Sequence, residues 1–446
     1  EKNILLVNPW IYDFTAFDFW MKPLGLLYVA SLLKSHKSFR LSFIDCLDRN
    51  HPLLPVKLKT KQDGRGPFWK EEVAKPAVLG AVPRKFSRYG IPVSLFCHEL
   101  HHIPRPDLVL ISGTMTYWYP GVQLVIELIR RKYGRIPVAL GGIYPTLMAG
   151  HARREIDADF ILEGSAEKTL PLLLEEVFGT TACCEVLCSL SHGMLWPAFD
   201  LLRDRTVLPL LTSRGCPYKC AFCASRLLFQ GFDQFPPHAV AALIEHVYKE
   251  YKTRHLAFYD DALLLNKADH IVPVLERIIV QKMPVAFHSP NGLHVREIDA
   301  RIASLFRRAN FQSLYLSQES FDEKILVDAC FKVSPCDLET AVGHLTHAGY
   351  RASDLNVYLM TGLPGQNADS VHESILRVQE LGARPRLAYF SPVPGTTTWH
   401  SLSAKGVLDK NMDPLLHNKL VFSYLLGDIS PEELSRLKAL ADNLPF

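Results

Sequence analysis

The chain has no apolar run of the roughly 18 residues that a bilayer-spanning helix needs, which excludes a membrane span. It lacks an excess of charge of either sign: 49 Lys and Arg stand against 46 Asp and Glu, a formal net charge of +3. That balance gives no argument for nucleic acid or an anionic membrane surface as an obligate partner, and no nucleic-acid partner is expected. Cysteine is sparse and uneven, ten in 446 residues, which is not the pattern of a secreted disulfide framework. The opening "EKNILLVNPW" reads as a short strand without a signal-peptide layout, so the expected location is cytoplasmic. "HELHH" at 98–102 has the letters of a His-Glu-x-x-His run but is assigned no metal. No internal repeat and no low-complexity tract occurs.

What is present is an alternation of short apolar strands with helix-length segments. With 48% apolar residues the chain is long enough for two or three domains. "NILLVNP", "RLSFID", "DLVLISG", "PVALGG" and "DFILEG" end in Gly, Pro or Asp and alternate with helical patterns at 24–35, 119–133 and 166–177. This spacing predicts βαβ units and a doubly wound parallel sheet, with its ligand crevice at the strand C-termini. Residues 51–105 interrupt the series. Between 55 and 90 they carry nine Lys or Arg and three acids without clear periodicity, which fits a solvated excursion or a substrate lid or docking surface.

Residues 179–205 read as a linker, and a second series begins near 206. Strands are expected at "TVLPLLTS", "HLAFYD", "PVAFHS", "QSLYLS", "LNVYLM" and "RLAYFS", with helices at 237–251, 268–281, 297–309, 335–348 and 367–381. Six strands are fewer than the eight of a closed barrel, so a partial (β/α)6 barrel over 206–400 is the simplest solution, followed by a helical C-terminal segment, 401–446. The expected fold class is α/β: an N-terminal doubly wound, Rossmann-like sheet (1–178, with the 51–105 insertion), then the partial barrel.

Three of the ten cysteines fall within eight positions, in "LTSRGCPYKCAFCASRLL" (211–228): Cys216, Cys220 and Cys223, just after the first strand of the second series. A structural zinc site takes four ligands, and the nearest other cysteines are Cys188 and Cys330. An iron–sulfur cluster held by three thiolates leaves one iron open to bind a substrate. Cys183, Cys184 and Cys188, with Cys330 and Cys336, are too poorly spaced for a second cluster and read as linker or core residues.

The Cys-x3-Cys-x2-Cys spacing, with Phe222 before the last Cys, resembles the radical S-adenosylmethionine (SAM) superfamily. The resemblance implies a 4Fe-4S cluster on Cys216, Cys220 and Cys223 whose open iron is chelated by the amino and carboxylate groups of SAM. "FYDDALLL" then places Tyr259, Asp260 and Asp261 near the SAM amino group. "LSQES" places Gln318, Glu319 and Ser320 near its ribose and carboxylate, and "LMTGLPGQ" supplies Gly362 and Gly365 beside adenine. Phe222 joins this SAM-binding set.

A doubly wound domain upstream of such a barrel resembles the cobalamin-binding domain of the cobalamin-dependent radical SAM branch. "LISGTMTYWYPG" matches its hydroxyl-bearing loop, with Ser112, Thr114 and Thr116. "LGGIYPT" matches its glycine pair, Gly141 and Gly142, and "FILEGSAEKTL" its closing segment, with Glu163 and Gly164. Tyr117, Trp118 and Tyr119 are packing residues or a cover for the corrin. The Asp-x-His-x-x-Gly motif that supplies a lower axial histidine is absent. The loop 8–25 stands in its place and offers Trp10, Tyr12 and Trp20. The expectation is that Trp10 or Tyr12 covers the lower face of cobalt, or else that these aromatics only pack the domain.

The resemblance therefore implies a cobalamin-dependent radical SAM methyltransferase acting on an unactivated carbon, with a 4Fe-4S cluster, SAM and cobalamin as cofactors. In that family a 5′-deoxyadenosyl radical abstracts a substrate hydrogen and the substrate carbon takes a methyl group from methylcobalamin. The alternatives are a rearrangement or cyclisation enzyme with the same cofactors, or a non-catalytic cobalamin sensor or carrier. Implied partners are an electron donor such as flavodoxin or ferredoxin and a small-molecule, peptide or protein substrate that no motif identifies.

Overall fold

The computed structural model describes residues 2–35, 38–179, 195–327 and 333–443, which group into two compact units, Glu1–Thr206 and Val207–Phe446. Cys183, Cys184, Cys188 and Cys330 lie outside the described residues. Among the described residues no helix is long and apolar enough to cross a membrane.

The first unit is built on a five-stranded parallel sheet: β1 (Lys2–Asn8), β2 (Phe39–Asp45), β3 (Leu108–Gly113), β4 (Val138–Gly142) and β5 (Phe160–Ile161). Its spatial order is β5-β4-β3-β1-β2. The helices α1 (Leu24–Lys34), α2 (Val93–His101) and α3 (Tyr119–Tyr133) link β1 to β2, β2 to β3 and β3 to β4, and α4 (Ala166–Phe178) follows β5. A continuous apolar run such as "NILLV" suits a strand covered on both faces. Leu5 and Val7 pack into one core with Val109, Ile111 and Val125, while Ile4 and Leu6 pack into a second with Leu110, Leu33 and Leu173. Strand order reverses between β1 and β3, so the loops after these two strands part and leave a crevice between them.

Two expectations are corrected here. The interruption 51–105 is folded, and its last part, α2, is the crossover helix that the βαβ pattern requires. Ser87–Tyr89 pairs antiparallel with both Ile11–Asp13 and Lys70–Glu72, and Phe17–Asp18 pairs with Gly66–Pro67. Strands of two or three residues leave no readable alternation, and what fixes the pair Phe17–Asp18 and Gly66–Pro67 is one buried side chain. The Arg49 guanidinium donates to the carbonyls of Pro67 (2.7 Å), Gly64 (3.1 Å) and Lys59 (3.1 Å) and pairs with Asp18 at 3.3 Å. Gly66 is required beside it, because a Cβ there would meet the guanidinium at 1.8 Å. The basic surplus is partly neutralised within the segment, Lys85 by Glu72 and Arg88 by Glu71. The second correction concerns the linker. Its described C-terminal part belongs to the first unit, where Ala198 and Phe199 are buried and the Ala198 amide donates to the Leu27 carbonyl.

The second unit is a six-stranded, all-parallel sheet in sequential order: β6 (Val207–Leu210), β7 (His255–Phe258), β8 (Ala286–His294), β9 (Phe311–Glu319), β10 (Leu355–Thr361) and β11 (Arg384–Tyr389). Between them run α5 (Pro237–Tyr251), α6 (Ile271–Val280), α7 (Ala300–Arg308), α8 (Pro335–His347) and α9 (Ala368–Glu380). This is the partial barrel, with β6 and β11 as its edge strands among the described residues. β8 runs longer than "PVAFHS" suggested, because a bulge between Ser289 and Leu293 carries the strand on to His294. The C-terminal segment is helical at Thr397–Ala404, Lys419–Leu425 and Pro431–Asp442.

Candidate functional site

In the second unit the chemistry-bearing residues gather at the carboxyl ends of the strands. Ser213–Gly215 pairs antiparallel with Phe232–Gln234, and this ribbon encloses the loop that carries Cys216, Cys220 and Cys223. Among the described residues no three His, Cys, Asp or Glu surround one point as a single-ion site requires. The three thiols share one loop, the arrangement that a cluster held by three thiolates would take. The Cys223 amide donates to the Cys220 carbonyl (3.2 Å), and the Ser225 amide points at Cys223 Sγ (3.5 Å). Burial and the negative neighbours Asp261, Cys220 and Cys216 push the Cys223 thiol up to about 11. Iron held at this loop would supply the positive charge that favours the thiolate.

A buried network holds the loop in place. Asp260 Oδ1 accepts from the Thr212 amide (2.8 Å), the Thr212 hydroxyl (2.8 Å) and the Ser213 hydroxyl (2.6 Å). Burial pushes the Asp260 carboxyl up to about 6, against the lowering effect of those donors. His270 Nε2 lies 2.9 Å from the same Thr212 oxygen, and burial lowers its pKa to about 4, so the ring is neutral. With the Thr212 proton given to Asp260, Nε2 is the protonated nitrogen. Asp261 is exposed and accepts the Ser225 hydroxyl (2.6 Å), which ties it to the residue whose amide faces Cys223. Thr212, Ser213, Ser225 and His270 were not anticipated; hydroxyls beside a cysteine loop carry no sequence signal of their own.

The remaining expected SAM residues also lie at this end of the sheet. The Tyr259 carbonyl accepts from Asn291 at 2.8 Å. Glu319 ends β9 with φ 66°, a left-handed backbone that costs a glutamate on the order of 1–3 kcal/mol and accompanies a register shift against β10. Ser320 is buried, and its hydroxyl accepts from the Asp322 amide (3.0 Å). The Gly362 amide donates to Gln366 Oε1 (2.9 Å) and the Gly365 amide to Asp428 (3.0 Å). Phe222 packs against the cluster that contains Leu363 and Phe390. Asp260 Oδ2, Gln318 Oε1 and Thr361 Oγ1 are buried polar atoms with no partner among the described residues. Unpartnered buried acceptors are costly, and a ligand rich in N–H and O–H donors, such as SAM, would satisfy them.

The first unit's crevice lies at its topological switch point. Asn8, Pro9, Trp10 and Ile11 line it from the β1 side, and Ser112, Gly113, Thr114, Met115 and Trp118 from the β3 side. Ser112 and Thr114 thus line it, while Thr116 is buried. Tyr12 sits instead in the small antiparallel sheet opposite Arg88. Trp10 is buried, with its ring 4.9 Å from Phe96 and its indole N–H donated to the Ile91 carbonyl (2.6 Å). Trp20 is likewise buried and bonded to the Asp63 carbonyl (2.6 Å). The indoles of Trp10 and Trp20 are therefore held in the unit's own packing, and Met115, which is exposed, and Trp118, whose N–H is held by Asp13 (2.9 Å), line the crevice beside Ser112 and Thr114. Tyr117 is buried and Tyr119 stacks on Tyr144.

Gly142 has φ 104°, and a Cβ there would strike the Gly113 carbonyl at 2.5 Å, so its first duty is close packing of β4 on β3. Gly141 pairs with Ser112. Thr146, which the sequence did not single out, donates to the Gly142 carbonyl (2.7 Å) and accepts the Gly164 amide (3.0 Å). Glu163 is exposed and pairs with Arg153.

At the neighbouring strand ends Asp45 accepts from Asn8 Nδ2 (2.7 Å) and from the Leu47 amide (2.9 Å). Burial raises its carboxyl to about 6, opposed by Lys22. Its folded value exceeds the unfolded one of about 3.9, so its stabilising contribution is full below pH 4 and lost as pH rises through 6. Asp45→Asn keeps the Oδ1 acceptor and should raise stability at pH 7.5 by about 1–2 kcal/mol. Denaturant unfolding of both proteins between pH 4 and 8 checks this: the gain should vanish at the acid end, and a constant difference would refute it.

Comparison with known proteins follows these two sites. The model of the radical SAM superfamily matches residues 210–378, and that of the B12 binding domain matches residues 100–174. An uncharacterized methyltransferase of Pyrococcus horikoshii is 25% identical over 334 residues, covering 68% of this chain and 71% of that protein. A second, from Synechocystis, is 24% identical over 316 residues and covers 68% of this chain; the match spans 57% of that relative's length. Among solved structures, the radical SAM methyltransferase TsrM from Kitasatospora setae, determined with tryptophan substrate and a SAM analogue bound, is similar over 99% of this chain and 89% of its own. The TM-score is 0.66 at 15% identity, which speaks to the fold alone.

Proposed function

We propose, for a chain that belongs to the cobalamin-dependent radical SAM enzymes, that it transfers a methyl group to an unactivated carbon of its substrate. The radical SAM domain implies a 4Fe-4S cluster and SAM, and the B12-binding domain implies cobalamin. When bound, these groups supply radical hydrogen abstraction and a transferable methyl group. The observation that carries the reading is the three-thiol loop at the carboxyl end of a six-stranded parallel sheet, with an amide aimed at Cys223. The methyltransferase names of the Pyrococcus and Synechocystis relatives support the choice of group.

In this reading Cys216, Cys220 and Cys223 hold the cluster, and Ser225 steadies Cys223 through its amide while its hydroxyl is fixed by Asp261. Asp260, Gln318 and Glu319 face the polar groups of SAM, with Tyr259, Ser320, Gly362, Gly365 and Phe222 shaping its surroundings. Ser112 and Thr114, with the Gly141–Gly142 and Glu163–Gly164 turns, receive the cobalamin nucleotide tail. An electron donor such as flavodoxin or ferredoxin delivers the reducing equivalent.

Anaerobically reconstituted protein, given cobalamin, SAM, reductant and substrate candidates, should form S-adenosylhomocysteine and 5′-deoxyadenosine in proportion to methylated product. Formation of 5′-deoxyadenosine without S-adenosylhomocysteine would replace methylation with rearrangement or cyclisation. Formation of neither would return the chain to a sensor or carrier role.

A further inference from the structure

The edge strand β11 carries two arginines, Arg384 and Arg386, on one face of the sheet. Register fixes which face: Arg384 stands opposite Asn356 and Arg386 opposite Tyr358. The alternate residues of β10, Leu355, Val357 and Leu359, are fully buried, so the arginine face is the polar one. Arg386 Nε donates to Asn356 Oδ1 at 2.8 Å. The Tyr358 ring stacks on Tyr315 with centroids 5.1 Å apart, and its hydroxyl donates to the Pro290 carbonyl.

Neither arginine meets a carboxylate among the described residues, and Arg384 Nε is buried with no hydrogen-bond partner there. Several other arginines of this unit do find one, as Arg277 with Glu245, Arg301 with Glu276 and Arg351 with Asp354. Two guanidinium groups rooted about 7 Å apart along a strand repel each other, and a half-buried cation without an anion is unfavourable. A fold gains nothing from that arrangement. A binding site does, because the missing partner arrives with the ligand.

We infer that Arg384 and Arg386 hold an oxyanion, a carboxylate or a phosphate, on the substrate, with the Tyr315–Tyr358 pair as an aromatic shelf beside it. This deepens the reading above and rests on it for the identity of the ligand as substrate. Asn356 is a positioning residue that orients the Arg386 fork.

Thermal melting of the full reconstituted chain, titrated with inorganic phosphate or with acetate at ionic strength held constant by chloride, tests the inference. Melting temperature should rise saturably with at least one ion. Arg384→Gln and Arg386→Gln should each raise the half-saturating concentration about tenfold or more, Arg386→Lys should raise it less, and Arg301→Gln should leave it unchanged. Response to phosphate alone identifies a phosphorylated substrate, and response to acetate a carboxylic acid. Without ion, both Gln variants should melt at or above the wild-type temperature, since each removes an unpaired charge. The inference is overturned by a saturation curve that the Gln variants leave unmoved, by no saturable response to either ion, or by an equal loss of SAM affinity in those variants, which would assign the arginines to SAM. Absence of 5′-deoxyadenosine with intact anion binding would instead fail the proposed function and leave this site standing.

Discussion

Replacing Cys220 by alanine should reduce bound iron from about four per chain to near background and abolish 5′-deoxyadenosine formation, while cobalamin binding persists. Cys220 sits mid-loop and half-exposed, and the hydrogen bond it makes to the Cys223 amide uses its backbone carbonyl, which alanine keeps. The fold therefore has little reason to respond, and the effect should be confined to the cluster. Retained cobalamin is expected because the crevice proposed for it is lined by Asn8–Ile11, Ser112–Met115 and Trp118, none of them in this loop. Iron analysis, the visible thiolate-to-iron band and chromatography of SAM products read the outcome. Reductive SAM cleavage by the variant would refute the assignment of the thiols.

Asp260→Ala should have the largest effect on stability. One carboxylate oxygen accepts from the Thr212 amide, the Thr212 hydroxyl and the Ser213 hydroxyl, all buried. Each donor left unsatisfied costs about 1–3 kcal/mol, so the three together cost about 3–9 kcal/mol, or a fall in melting temperature of about 10 °C or more for a unit of this size. Ser213 opens the short strand that leads directly into Cys216, so the variant should also release iron to a chelator faster. Asp260→Asn keeps an acceptor oxygen at the same place and should lose less on both counts. A melting temperature for Asp260→Ala within a degree or two of wild type would mean that the network does not hold the loop.

The second unit was legible because its periodicity and its chemistry coincide. Each βα unit repeats, helices such as 237–251 carry unbroken apolar stripes, and three cysteines in eight positions concentrate more thiol than a core or a surface loop has use for. The first unit was legible in its sheet and illegible in its insertion. "NILLV" can only be a strand covered on both sides, but strands such as Phe17–Asp18 and Gly66–Pro67 are too short to show a period. Their pairing depends on Arg49, a residue that reads in sequence as one more surface charge.

The sequence by itself determined the fold class, the order of the parallel strands in the second unit, the thiol triad and the crevice-forming loops, because those properties follow from local spacing and from which residue types sit at strand ends. Only the tertiary structure decided how individual side chains are spent. It committed Trp10 and Trp20 to the packing of the first unit, through indole bonds to the Ile91 and Asp63 carbonyls. It gave one Asp260 oxygen to Thr212 and Ser213, from the preceding strand's end, and left Arg384 unpaired among the described residues. Those assignments depend on which donor meets which acceptor across distant parts of the chain, and spacing along a sequence carries no information about partners that only folding brings together.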